Sequence, residues 1–207
     1  MVDIKSLLWY KCIKGDFMEN KLYLRKLVIC SMFIVLITIG AFIKIPIPYI
    51  PFTLQFLFVV LAGSLLGGKL GGFTVLMYVF MGLVGLPMFT EGGGFMYVLK
   101  PTFGYLIGFI LCAMIVGYLV KKDNSPSVFK YYSYNFIGLL VVYLIGISYC
   151  YLVMRFYLHQ SVDIKNLIFT GFLLALPGDV ILSIISAVLT KKLKSVADKY
   201  LTKENVE

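Results

Sequence analysis

Charge is scarce in this chain. Only 14% of its 207 residues are Asp, Glu, Lys or Arg, while 60% are hydrophobic. A water-soluble domain carries about 25% charged residues, so that class is excluded. Histidine occurs once, as His159, and a lone imidazole builds no metal site. The four cysteines, Cys12, Cys30, Cys112 and Cys150, form no CxxC pair and no zinc spacing. Three of them lie in apolar runs, where a thiol acts as a small hydrophobe. Long polar segments are missing too. The longest are the two ends and "KKDNSPSVFK", so no soluble domain has room. The first 20 residues lack an apolar core followed by small residues, and read as a cytosolic or interfacial lead-in rather than a cleaved signal. Strict alternation is absent, which excludes a membrane β-barrel. No internal repeat is visible, which leaves an inverted-repeat transporter unsupported.

What remains is long apolar sequence. Several stretches approach the roughly 20 residues that cross a bilayer as a helix. The fold expected is an all-α integral membrane protein with six transmembrane helices, a single membrane domain over residues 1–207. The spans expected are 22–43, 52–66, 72–89, 102–120 and 134–157, with a sixth starting near Pro177. Pro177-Gly178 interrupts the last apolar stretch, so 167–176 is expected as a separate re-entrant or interfacial helix. The embedded part is then about 22–190, with 191–207 cytosolic or interfacial.

The positive charges fix an orientation. With both ends cytosolic, fifteen of the 19 Lys and Arg residues fall inside, and only Lys44, Lys100, Arg155 and Lys165 fall outside. The net charge of +9 thus has a membrane reading, and no nucleic-acid partner is implied.

Few segments carry candidate chemistry. "GSLLGGKL", Gly63 to Leu70, matches a phosphate-binding GxxxxGK, yet Leu70 stands where Ser or Thr would hold magnesium, and the motif ends a membrane helix instead of following a strand. It reads as a tight turn between close-packed helices, and no nucleotide cofactor or other cofactor is expected. Asp179 is the sharpest single residue, an acid flanked on both sides by apolar sequence. Such a group is costly at membrane depth unless partnered. It reads either as a substrate contact or as a cap for the helix that follows Pro-Gly. Thr53 and Gln55 follow Pro51 at the mouth of the second span, after three prolines within 46–51. They read as helix capping or as polar contacts to a ligand. The loop after the third span, with Gly93, Gly94, Tyr97 and Lys100, is longer than a bare turn needs, and its glycines allow the backbone to fold back closely. Arg155 reads as a snorkelling anchor and Glu91 as a solvated loop charge. One intramembrane acid without a second catalytic group describes a solute-binding protein better than an enzyme.

Several of these elements occur together in a known order. "IPIPYIPFTLQ", "LAGSLLG", "GLPMF" with the following "GGG", "PTFGYLIGF" and "LPGD" make the chain resemble the BioY family, the biotin-specific S components of energy-coupling factor (ECF) transporters. The resemblance spans roughly Ile43 to Leu189. It implies the six-helix S-component fold and capture of biotin from outside. It implies as partners a transmembrane coupling protein and two cytosolic ATPases, in the lipid bilayer. It places Asp179 in the substrate site. The family commonly has a Lys three residues after that acid, where this chain has Leu182. The resemblance therefore leaves the ligand carboxylate to Lys100, the nearest cation on the outer side. An S component for another vitamin, or a small membrane enzyme, remains as an alternative.

Overall fold

The computed structural model describes residues 4–45, 51–123, 125–160 and 163–201, with side chains from Lys21 onward. The Pro-rich segment 46–50, expected as a rigid outer loop, lies outside the described residues.

The chain opens with α1 (Ile4–Phe42), so the lead-in is helical and runs without a break into the first span. Two residues of β1 (Lys44–Ile45) pair antiparallel with β2 (Phe52–Thr53), with Lys44 opposite Thr53. Helices α2 (Gln55–Leu66) and α3 (Gly68–Leu83) follow, then a 3-10 turn at Phe95–Leu99. Next come α4 (Phe103–Lys122) and α5 (Val128–Leu152), the latter extended by a π turn at Val153–Tyr157. The chain closes with α6 (Ile164–Ile168), a π turn at Phe169–Leu173, and α7 (Leu176–Leu201).

Among the described residues, four helical runs are long and apolar enough to cross a membrane: Lys21–Phe42, Phe103–Lys122, Val128–Tyr157 and Ile164–Leu201. The apolar helices α2 and α3 are shorter, with 12 and 16 residues. At 1.5 Å per residue they reach only about 18 and 24 Å, against a hydrocarbon thickness of about 30 Å. Together these make the six expected helices.

The last helix departs from the expectation. Pro177 does fall in the first turn of α7, where its missing N–H costs nothing. The residues before it are not a detached helix, however. Helix α6 and the π turn lead straight on, with only Leu174 and Ala175 between the turn and α7. The π turn makes this continuity possible. Leu174 N–H donates five residues back to Phe169 O (3.0 Å), and normal spacing resumes with Asp179 N–H to Ala175 O (3.1 Å). Widening the helix by one residue accommodates the proline without a break.

Helix α4 sits at the centre and packs against α2, α3 and α5. Glycines set its distance from α2. A Cβ on Gly117 would lie 2.4 Å from Gly63 O, and one on Gly63 would lie 2.5 Å from Ala113 O. The motif that resembled a nucleotide loop thus forms a helix–helix crossing and a corner. Gly67 turns between α2 and α3 at φ +83, a conformation other residues resist. Small residues let the backbones touch where the hydrophobic effect gives no drive between helices. At the other end of α4, Asp123 accepts from Lys130 Nζ (2.6 Å) and from Tyr134 Oη (3.1 Å), which closes the short α4–α5 connection. The Lys130 hydrogen bond holds the Asp123 carboxyl below its ordinary range.

Gly117→Val should therefore force α2 and α4 apart. Overpacking of this kind typically costs about 1–3 kcal/mol. Thermal unfolding in detergent should show a clear drop in midpoint for Gly117→Val. Leu111→Val, at an outward-facing position on the same helix, should leave the midpoint nearly unchanged.

Candidate functional site

A cavity of about 650 Å³, counting its open mouth, lies between the β1–β2 end of the bundle and the helices α2, α4, α5 and α7. Its walls are mostly aromatic and aliphatic: Phe52 and Phe56 on one side, Leu106 and Phe109 on α4, Leu139 and Val142 on α5.

Polar groups enter this apolar shell at defined points. Asp179 stands on the first turn of α7, 8% exposed, and accepts a short hydrogen bond from Tyr143 Oη on α5. The capping reading is not met, since Asp179 N–H already bonds Ala175 O and helical chain precedes it; its carboxyl faces Tyr143 and the cavity instead. Gln55, 3% exposed, begins α2. Its Nε2 donates to Tyr78 Oη (2.8 Å), which in turn donates to Met88 O (2.9 Å). That chain fixes the amide and leaves its carbonyl oxygen as an acceptor for the cavity. Tyr105 Oη donates to Gly171 O (3.3 Å), in the π turn before α7. The π turn therefore brings a backbone carbonyl and Ala175 to the cavity wall.

The mouth is covered by the loop between α3 and α4. Phe89 packs edge-on to Tyr78 (5.6 Å between centroids) and tilted against Tyr97 (4.4 Å). Tyr97 Oη lies 3.1 Å from Thr90 Oγ1 and accepts from Thr102 Oγ1 (3.4 Å). Thr90, Tyr97 and Thr102 all line the cavity. From outside, Lys44 on β1 donates to Thr90 O (2.8 Å), tying the two-stranded ribbon to this lid. Tyr149 Oη on α5 donates to Val98 O (2.5 Å) and pins the lid from the other side.

Of the residues singled out in the sequence, Thr53, Gln55, Tyr97 and Asp179 come together around the cavity. Gly93, Gly94 and Lys100 do not line it. The glycines shape the lid instead. A Cβ on Gly93 would lie 2.1 Å from Leu86 O, and Gly94, at φ +108, donates its N–H to Gly82 O (2.8 Å). Lys100 stands beside the lid. Its Nζ pairs with Glu91 Oε2 at 2.8 Å and sits 4.9 Å from the Tyr97 ring centroid. Glu91 is the exposed loop charge expected, and it also partners Lys100. Phe95 points outward, while Phe103 is buried against Tyr149.

Sequence reasoning missed Tyr143, Tyr105, Thr90 and Thr102. A signal existed for Tyr143. Tyr usually marks the membrane interface, and Tyr143 falls well inside an apolar run, where a hydroxyl needs a partner.

Removing the Tyr143 hydroxyl strips Asp179 of its bond. Tyr143→Phe should lower stability by about 1–3 kcal/mol, the usual cost of leaving a buried polar group unpaired. Tyr105→Phe, which loses only a 3.3 Å bond to a carbonyl, should cost less. Thermal unfolding of the two variants in one detergent checks the order.

The chain was compared with known proteins. The family model for the BioY family matches residues 18–199. A probable biotin transporter BioY of Lysinibacillus sphaericus is 45% identical over 170 residues, covering 82% of this chain and 87% of that protein. The biotin transporter BioY of Thermotoga maritima is 38% identical over 174 residues, covering 84% of this chain and 98% of that protein. The fold is also similar to the crystal structure of the S-component for biotin from an ECF-type ABC transporter. That match has a TM-score of 0.75 at 27% identity, over 85% of this chain and 94% of that one.

Proposed function

This chain belongs to the BioY family, and on that premise we propose that it is the biotin-binding S component of an ECF-type importer, a multi-pass protein of the cell membrane and not an enzyme. The observation that carries the reading is the lidded cavity, aromatic and aliphatic on most sides, with one partnered acid at its inner end.

Biotin suits such walls. Its fused rings and valeryl chain are apolar and match Phe52, Phe56, Phe109 and Leu139. Its ureido group offers two N–H donors and one carbonyl acceptor. We assign the donors to Asp179 and the Gln55 carbonyl, and the ureido oxygen to Tyr105 Oη, which gives up its 3.3 Å bond to Gly171 O for the ligand. The ligand carboxylate then lies toward the lid, beside Lys100. To meet it, Lys100 exchanges its contact with Glu91 for the ligand, a trade between two anions at little cost. Orientation follows from the lysines. The end with Lys121, Lys122 and Lys191 faces the cytosol, and the lid faces outside.

The GxxxxGK stretch forms the α2–α3 corner and not a nucleotide loop. Energy for uptake therefore comes from partners, a membrane coupling protein and two cytosolic ATPases. Concentrative uptake by this chain alone, in cells lacking those partners, would contradict this part.

Equilibrium binding of labelled biotin to the purified protein tests the site. Ala175→Leu, which fills the cavity from α7's leading turn, should abolish binding while leaving the folded protein intact by thermal unfolding. Tight binding of another vitamin in place of biotin would retain the fold and overturn the substrate. Lys100→Ala should weaken biotin roughly tenfold, about 1.4 kcal/mol, and weaken biotin amide much less. The loss is smaller than for a fully buried pair because the Lys100 side chain is 39% exposed. An unchanged ratio of the two affinities would remove Lys100 from the site.

A further inference from the structure

Below the cavity the bundle contains a second polar feature. On α7, Asp179 is followed by Ser183, Ser186 and Thr190, at steps of four, three and four residues. That spacing puts all of them on one stripe of the helix. The three hydroxyl residues are fully buried. Asn135 of α5, also fully buried, reaches the stripe, and its Nδ2 donates to Ser183 O (3.1 Å). Ser64 of α2 is fully buried as well. It belongs to the stretch of α2 whose Leu61, Ala62 and Leu65 pack against Leu189 of α7.

Among the described residues, five side-chain oxygens of this group have no protein partner: Ser64 Oγ, Asn135 Oδ1, Ser183 Oγ, Ser186 Oγ and Thr190 Oγ1. Helix hydroxyls elsewhere in the chain satisfy themselves on the carbonyl four residues back, as Ser31 does on Leu27, Thr74 on Leu70 and Ser148 on Leu144. No such bond is present at Ser183, Ser186 or Thr190. Leaving a buried hydroxyl without a partner is costly, so five such oxygens call for a bonding partner.

We propose that the interface of α7 with α2 and α5, from Ser183 to Thr190, is an internal-water site in which a short file of waters bonds Asn135, Ser64 and the α7 hydroxyls. The chemistry fits water. Asn135 Oδ1 only accepts and needs a donor, while the hydroxyls both donate and accept. Water supplies both roles, and buried waters typically make about three hydrogen bonds. The spacing fits as well. One helical turn rises about 5.4 Å, close to two O–H···O bonds of about 2.7–2.8 Å end to end, so one water bridges successive hydroxyls of the stripe.

Two measurements on the ligand-free protein test this, and neither depends on what the cavity binds. The first is thermal unfolding of Thr190→Val and Ser183→Ala in detergent. Methyl groups in place of water-bonded hydroxyls should lower the midpoint, by about 2–4 °C for each kcal/mol lost in a chain of this size. If the oxygens face a dry interface, removing them relieves a penalty, and an unchanged or raised midpoint overturns the proposal. The second decides the matter even if the variants fail to fold. An experimental structure at a resolution that shows ordered water should place waters about 3 Å from Asn135 Oδ1 and from at least two of the α7 hydroxyls. A dry interface there overturns the proposal.

Discussion

A carboxyl group inside an apolar bundle must be partnered, and the Asp179–Tyr143 hydrogen bond is the contact on which the cavity depends. It ties the first turn of α7 to the middle of α5. It keeps a polar group aimed at a space otherwise walled by rings and methyls. The π turn that precedes Pro177 sets where that first turn falls, because it brings Gly171, Ala175 and Asp179 to the same wall. A regular helix through this stretch would rotate the acid relative to the residues before it. Sequence, local irregularity and site are thus one argument: a proline that cannot donate, a widened turn that absorbs it, and an acid presented to the cavity.

The lid rests on a different economy. Its polar backbone is satisfied by its own turns and by α3, through Gly94 N–H to Gly82 O and the Phe89–Gly92 bridge. Side chains fasten it from two sides, Lys44 from β1 and Tyr149 from α5. Phe89 and Tyr97 also anchor it in the aromatic core, while Phe95 and Met96 are largely exposed. Below it, glycines bring α2 and α4 into close contact.

Much of this was legible in the sequence. Apolar run lengths and the distribution of lysines gave six helices, and the α2–α3 corner was readable because a Lys followed by Leu70 makes no phosphate loop. Asp179, Gln55 and Thr53 were legible because polar groups stand out against hydrocarbon. Other features were not. Tyr143 looks apolar by composition, and only the fold reveals that its hydroxyl meets Asp179. The π turn leaves no mark except the proline it accommodates. Lys100 was legible as a cation near the site, whereas its pairing with Glu91 depends on how the glycine loop folds back. Gly93 and Gly94 read as ligand contacts from their freedom, and that freedom serves the loop's own turns.

The central claim is that the cavity around Asp179 holds biotin in the membrane-embedded chain. The most direct measurement is the mass of whatever small molecule remains bound after the protein is purified in mild detergent from cells grown with biotin. The account predicts biotin at about one per chain, lost in Asp179→Asn or Ala175→Leu protein. A different vitamin retained at that stoichiometry, undisplaced by added biotin, would contradict it.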